Sequence, residues 1–321
     1  MKKRVHKTAL LTAVCFTFAI AQATAFWSSR IEATAEESIL TAATGSAPVV
    51  QPVEAETIAG VMIEIDLTAT DADGDAVAFR VDKQPSKGTA VIENDKLVYT
   101  PAEGKTGTDK FTYCALDTMG NCSEPAQVKI KIKKNSSKVT YADMAGNPAH
   151  LAALTLHQKG ILTGEKIGAS YFFHPADTVT RNEFIAMAVA AGEYELPETT
   201  RTDFADDEAL SPWVKPYIST AASNGLISGY QTVSGAAEIR GGNEITLDEA
   251  SSIICNLISP YLDAPVAASV QPEDAGWATS ANAVLTAADV LPEEVAEMDG
   301  AAVITRQTAC ELIYEAMQFM A

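Results

Sequence analysis

Histidine is nearly missing from this chain of 321 residues: there are four, His6, His150, His157 and His174. His6 falls in a basic leader. His150 and His157 stand seven apart with no carboxylate or cysteine at ligand spacing, which removes the usual zinc and general-base constellations. Gly-x-Ser-x-Gly and the glycine-rich phosphate loop are absent too, so neither a nucleophile elbow nor a nucleotide cradle is encoded. Positive charge is scarce, with 23 Lys and Arg against 42 Asp and Glu. Such an acidic chain is a poor partner for nucleic acid and is repelled by anionic membranes.

Long apolar runs are lacking as well. Ala9–Ile20 is too short for a comfortable membrane span. Lys2, Lys3, Arg4 and Lys7 precede it and Ala23-Thr24-Ala25 follows it, so residues 1–25 read as a secretory signal peptide and 26–46 as a linker. No second candidate span, no lipobox-like Cys and no sorting tail after Ala321 is found; Cys15 lies inside the apolar run. The expectation is an exported protein without a transmembrane anchor, retained at the surface by something else. Loss of the leader leaves 19 basic against 42 acidic residues, a net charge of −23.

What is present is an internal repeat. Gly160, Gly225 and Asp289 hold one column at a spacing of 64–65 residues, with Pro148, Trp213 and Trp277 twelve residues upstream. Helical apolar patterns run between them: Ala149, Ala152, Leu156; Val214, Tyr217, Ala221; Ala278, Ala281, Leu285. Further on, each repeat opens a second helix at a threonine: Thr180-Arg181-Asn182-Glu183, Thr246-Leu247-Asp248-Glu249 and Thr305-Arg306-Gln307-Thr308. Thr-x-x-Glu is a capping box and needs no function to explain it. The arginine does, because a cation in the first turn opposes the helix dipole. A guanidinium beside free N–H groups suits a carboxylate ligand; the competing reading is a surface arginine in a salt bridge.

This repeat resembles the S-layer homology domain over about residues 139–321, with repeats at about 139–192, 202–262 and 268–321. The second repeat, FADDEALSPWVKPYISTAASNGLISGY, fits that family's pattern closely; the first has Tyr141-Ala142-Asp143, KGILTG and HPADTVTRNEF, and the third keeps Trp277 and Thr305-Arg306. The resemblance implies a mainly α-helical three-repeat prism. It also implies non-covalent anchoring of an exported protein to secondary cell-wall polysaccharide, often pyruvylated, or to modified peptidoglycan. Glycan-binding candidates carried over are Arg181, Arg306, Trp213, Trp277, Asp143, Asp206, Gly164 and Gly229. The tryptophans could equally be packing anchors and the glycines turn residues. Replacing Arg181 and Arg306 together is expected to weaken wall binding at little cost in stability. Leu247 leaves the groove of the second repeat in doubt.

Residues 47–134 change to short alternating runs: Val61–Thr68, Val77–Lys83, Thr89–Glu93, Leu97–Thr100, Lys110–Leu116 and Gln127–Lys133. Asp73-Gly74, Lys87-Gly88, Gly107 and Gly120-Asn121 separate them, which argues for an all-β sandwich. Lys129–Lys134 reads as one face of an edge strand. The motifs Thr70-Asp71-Ala72-Asp73-Gly74-Asp75, Pro85-Ser86-Lys87-Gly88-Thr89, Tyr99-Thr100-Pro101 and Gly107-Thr108-Asp109-Lys110-Phe111-Thr112-Tyr113 resemble bacterial immunoglobulin/cadherin-like domains. Asp71, Asp73 and Asp75 are a candidate Ca²⁺ set, set against a solvated Asp-Gly turn. Cys114 and Cys122 flank a turn and are a candidate disulfide in an exported protein. Cys255 and Cys310 read as small buried groups.

The expected whole is multidomain: an immunoglobulin-like sandwich followed by a helical three-repeat prism. It is expected to be a non-enzymatic cell-surface protein with no cofactor beyond that calcium. The sandwich would serve as spacer or adhesive domain, and nothing in the sequence names its partner. The alternatives are an S-layer or envelope structural subunit and an accessory factor of a wall-remodelling enzyme.

Overall fold

The computed structural model describes residues 45–199, 201–233, 235–262 and 277–321, with the backbone alone at 277–280. The signal peptide and nearly all of the 26–46 linker lie outside the described residues. Nine strands come first: β1 (Val49–Val50), β2 (Val53–Ile58), β3 (Ile63–Asp66), β4 (Ala69–Thr70), β5 (Val77–Lys83), β6 (Gly88–Glu93), β7 (Lys96–Pro101), β8 (Gly107–Asp117) and β9 (Ala126–Lys133). One sheet orders β2-β9-β8-β5, a second β3-β7-β6, and β1 pairs with β4. The expected strand Val61–Thr68 is shorter, at Ile63–Asp66.

Strand β2 departs from the sequence reading. Val53-Glu54-Ala55-Glu56-Thr57-Ile58 has two glutamates on one face and little β propensity, yet it pairs parallel with β9, Val53 opposite Val128 through Ile58 opposite Lys133. So β9 lies between β2 and β8, and the edge-strand reading of Lys129–Lys134 is corrected. The lysines meet the glutamates instead. Lys129 Nζ lies 3.0 Å from Glu54, Lys131 Nζ 2.6 Å from Glu56, and Lys133 also reaches Glu56. Hydrogen bonds from Lys131 and Lys133 hold the Glu56 carboxyl below its ordinary pKa. Exposed pairs of this kind contribute at most about 1 kcal/mol each, so β2 is held mainly by its ladder and by buried Thr57 and Ile58.

The chain divides into two compact units. The described part of the first comprises residues 45–52, Thr68–Asp82 and Thr112–Ala126. In it Tyr113 Oη donates to the Gln51 carbonyl at 2.7 Å and the Tyr113 ring packs on Phe79. The second comprises Val53–Leu67, Lys83–Phe111 and Gln127–Ala321. There the Tyr99 and Phe111 rings stack at 5.8 Å, and Asp109 is 1% exposed beneath them. Its carboxylate accepts from Ser86 N and Oγ, from Lys87 N and from Tyr99 Oη, all between 2.7 and 3.0 Å.

The rest of the second unit alternates helices with hairpins. The first repeat holds α1 (His150–Gln158), the hairpin β10 (Glu165–Ile167) and β11 (Ser170–Phe172), and α2 (Arg181–Ala191). The second holds α3 (Lys215–Ser223), β12 (Tyr230–Gln231) with β13 (Ala237–Glu238), and α4 (Leu247–Ile258). The third holds α5 (Trp277–Ala287), a short α6 (Glu293–Ala296) where the others have a hairpin, and α7 (Arg306–Phe319). Apolar residues three and four apart face inward: Phe184, Ile185, Ala188 and Val189; Ile253, Ile254 and Leu257; Leu312, Ile313 and Ala316. Each large apolar side chain so buried contributes roughly 1.5–3 kcal/mol.

The column residues end their helices. Gly160, Gly225 and Asp289 have φ of 71°, 72° and 56°, and the next N–H returns to the carbonyls of Leu156, Ala221 and Leu285. Capping boxes form at Thr180/Glu183 and Thr246/Glu249, whereas Thr305 caps the N–H of Thr308 with no glutamate answering. The first two N–H groups of each second helix are taken by the neighbouring repeat. Arg181 and Asn182 donate to the carbonyls of Asn243 and Gly241, Leu247 and Asp248 to Ala302 and Gly300, and Arg306 and Gln307 to Asp177 and Pro175. The donations run from first repeat to second, second to third, and third back to first.

Candidate functional site

That cyclic contact sets each N1 side chain against the turn of its neighbour. Arg181 is 7% exposed. Its Nε donates to the Ile239 carbonyl at 3.0 Å, its Nη1 lies 3.6 Å from Glu249 Oε2, and its guanidinium sits 5.0 Å from the Tyr230 ring centre. Arg240 covers the same ring at 4.7 Å. Burial lowers the Arg181 pKa, and the nearby Glu249 opposes this in part. Beside this arginine lies a cavity of about 330 Å³ whose polar lining includes Ser228, Tyr230, Glu249, Ser252 and Asn256. Leu226, Ile227, Gly229 and Ile253 complete the wall.

Arg306 is placed the same way against the first repeat. Its Nε donates to the Phe173 carbonyl at 2.9 Å, its Nη2 to the Thr163 carbonyl at 3.2 Å, and it lies 5.1 Å from the Phe173 ring centre. The third such position is Leu247, 1% exposed and packed in the core. The N–H groups beside these side chains are not free, as the sequence argument for a carboxylate ligand had them; they are bonded across the repeat boundary. Any anion would therefore be held by guanidinium donors.

The other carried-over residues divide. Gly164 and Gly229 stand where a side chain has no room: a Cβ would meet the Phe172 carbonyl at 2.3 Å and the Tyr141 ring at 2.4 Å, or the Phe204 ring at 2.7 Å and the Glu238 carbonyl at 2.9 Å. Asp143 and Asp206 are turned to backbone. Asp143 accepts from the N–H groups of Phe173 and His174, and Asp206 from those of Ile239 and Arg240. Burial by itself would raise the Asp143 pKa, but those N–H bonds outweigh it and hold the carboxyl below its ordinary value. Trp213 is 55% exposed, edge-on to Tyr217, and does not line the Arg181 cavity. Trp277 opens α5, and its side chain lies outside the described residues. Glu249 and Arg240 were missed by the sequence reading. The signal for Arg240 was its column: like His174 it follows a buried apolar residue and takes positive φ, 55° against 58°.

Two matches decide what these parts are. Residues 45–131 match the bacterial Ig domain family, and residues 203–246 match the S-layer homology domain family. The chain carries a bacterial Ig domain and an S-layer homology domain. Both domains are non-catalytic, and the S-layer homology domain implies association with the cell surface or cell wall. An amylopullulanase of Thermoanaerobacterium thermosulfurigenes is 28% identical over 105 residues, which is 31% of this chain and 5% of that protein. The chain thus spans only a small part of that relative. Among solved structures, fibronectin(III)-like modules of Clostridium thermocellum CbhA are 25% identical, covering 27% of this chain and 97% of theirs, with a TM-score of 0.19. The SrpA adhesin of Streptococcus sanguinis is 15% identical, covering 32% and 64%, with a TM-score of 0.23. Among the described residues no helix is long and apolar enough to cross a membrane.

The Ig domain's candidate sites resolve differently. Asp71 Oδ1 accepts the N–H groups of Asp73 and Asp75 at 2.8 and 3.3 Å, and Asp73 accepts from Ser46 N. The Asp71 and Asp73 carboxylates thus accept backbone N–H groups of the loop, and no group of three metal-ligating side chains gathers among the described residues. Millimolar Ca²⁺ is therefore expected to leave the melting curve of the chain in place; a rise of several degrees abolished by Asp71→Asn would restore the calcium reading. Cys114 and Cys122 do not face each other squarely. Cys122 bridges to Leu116, two residues along the strand, and both thiols are free, with Arg80 Nη2 3.6 and 4.0 Å from their sulfurs. Cys255 is half-buried and Cys310 fully buried, and burial pushes both thiols up.

Proposed function

We propose that this is an exported cell-surface protein held non-covalently on a bacterial wall by a prism of three S-layer homology repeats. The ligand in this reading is a secondary cell-wall polysaccharide or modified peptidoglycan. The Ig domain acts as spacer or adhesive arm. One observation carries the proposal: the helix N-termini donate in a closed cycle across all three repeats, although the family match covers only 203–246. A closed set has neighbour-facing grooves by construction, and two of them carry an arginine at the N1 position. The Arg181 cavity supports a sugar ligand, since hydroxyl, amide and carboxylate groups share its wall with a ring face. The limited likeness to a large amylopullulanase fits a module that recurs in bigger proteins and brings no reaction with it.

Co-sedimentation of the full chain with purified wall tests this. The chain is expected to pellet with intact wall and to stay in solution when hydrofluoric acid has stripped the polysaccharide. Pelleting with the stripped sacculus as well would move the ligand to peptidoglycan. A chain that pellets with neither defeats the reading.

A further inference from the structure

Two thiols and a guanidinium meet at the end of β8, within the first compact unit. Leu116 stands opposite Cys122 in an antiparallel bridge, so Cys114, two residues back along β8, projects to the same face as Cys122. The two are diagonal neighbours, a separation that side chains can span. The Cys122 thiol hydrogen-bonds to Cys114, and that bond is the main reason its pKa is raised. Arg80, on β5, completes the group, with Nη2 3.6 Å from Cys114 Sγ and 4.0 Å from Cys122 Sγ. Cys114 is 1% exposed, whereas Cys122 is open to solvent. The pair is held in place without any covalent link. Ser123 N donates to the Ala115 carbonyl and Ser123 Oγ accepts from Ala115 N, both at 2.9 Å. The Asp117 carboxylate takes the N–H groups of Met119 and Asn121 at 2.8 Å and fixes the turn between the thiols.

A guanidinium this close decides between two uses of a thiol pair. It would repel a metal ion, and among the described residues no third ligating side chain joins the two. It favours a thiolate instead, and the thiolate is the nucleophile. Cys122 holds its proton against the Cys114 sulfur, so the first negative charge of the pair forms beside Arg80 and can pass between the sulfurs with that proton. Access then assigns the roles. A small molecule in solution reaches Cys122 and not Cys114, but Cys114 reaches Cys122. Cys255 and Cys310 differ from this pair, since burial pushes both thiols up.

We propose that Cys122 and Cys114 form a thiol–disulfide exchange site for small disulfides, in which Cys122 is modified first and Cys114 resolves the adduct. In the first step the Cys122 thiolate attacks one sulfur of a disulfide RSSR, a mixed disulfide forms, and RS⁻ leaves and takes up a proton. In the second the Cys114 thiolate attacks the Cys122 sulfur, the Cys114–Cys122 bond forms, and the second RS⁻ leaves and is protonated. The two thiols lose two protons and two electrons, and the small disulfide gains them as two RSH. Arg80 holds the negative charge of the attacking sulfur in each step. The new bond closes a short loop across the Asp117–Asn121 turn and removes the exposed thiol from the surface. None of this depends on what the repeats bind.

The test is treatment of the reduced full chain with cystine, read by intact mass and by peptide mapping that follows Cys15, Cys255 and Cys310 apart from the pair. The unaltered chain is expected to lose two hydrogens at Cys114 and Cys122 and to keep no adduct there. Cys114→Ser is expected to stop at a half-cystine adduct on Cys122, and Cys122→Ser to leave Cys114 unmodified in the folded chain. If Cys114→Ser fails to fold, Cys114→Ala takes its place. Arg80→Gln is expected to slow the reaction of the unaltered pair by about tenfold at neutral pH and to move its rate profile to higher pH, and Arg80→Lys to restore most of the rate. A merely structural arginine would leave that profile where it was. A lasting adduct on Cys122 in the unaltered chain, a pair that stays reduced, or a rate profile indifferent to Arg80 overturns the proposal.

Discussion

Arg181→Ala is expected to cost the chain about 2–3 kcal/mol in stability, measured by chemical unfolding at neutral pH. A surface arginine would cost almost nothing, and that was the expectation from sequence. The structure puts Arg181 at 7% exposure, bonded to the Ile239 carbonyl and paired with Glu249, its plane on Tyr230. Removing it leaves a carboxylate at 18% side-chain exposure without its cation and strips the packing from one face of Tyr230. Arg306→Ala removes a half-buried cation that has no counter-ion and should cost about 1 kcal/mol. Equal losses at the two sites would contradict the difference in pairing described here.

The second large effect lies in the other half of the chain. Asp109→Ala should cost about 3–5 kcal/mol and leave wall binding unchanged. Four donors converge on this buried carboxylate, and alanine answers none of them. Burial alone would raise its pKa, but the bonds from Lys87, Ser86 and Tyr99 win and hold it below the ordinary value. The sign of the pH effect follows. With the folded pKa depressed, the contribution is present above the unfolded value, about 3.9, and is lost as pH falls through the lower folded one. Stability of the Asp109→Ala chain should then be flatter with pH in that acid range. A loss under 1 kcal/mol would mean that the Ser86-Lys87 turn holds itself.

Much of this was legible because it depends on short-range pattern. Thr180, Thr246 and Thr305 cap their helices as their spacing announced, and the column Gly160, Gly225, Asp289 ends helices at positive φ even where glycine is lost. The strands with regular alternation were found to within three residues at either end. Strand β2 was not, because its glutamates make sense only opposite Lys129 and Lys131, 75 residues away. The roles of the arginines were hidden for the same reason. Nothing near Arg181 or Arg306 in the chain tells them apart; Arg181 pairs with Glu249 and the Ile239 carbonyl, whereas Arg306 bonds the Phe173 and Thr163 carbonyls. Asp143 and Asp206 had the right motif, but backbone N–H groups thirty residues on claim their oxygens. Cys114 and Cys122 flank their turn, with Cys122 in register with Leu116 and both thiols free.

Hydrogen–deuterium exchange on the full chain, with and without isolated wall polysaccharide, addresses the anchoring claim most directly. Protection is expected at the groove backbones, residues 163–174, 226–231 and 239–241, with residues 47–134 exchanging as before. Protection confined to residues 47–134, with the repeats unaffected, would place the wall contact on the Ig domain and contradict the account.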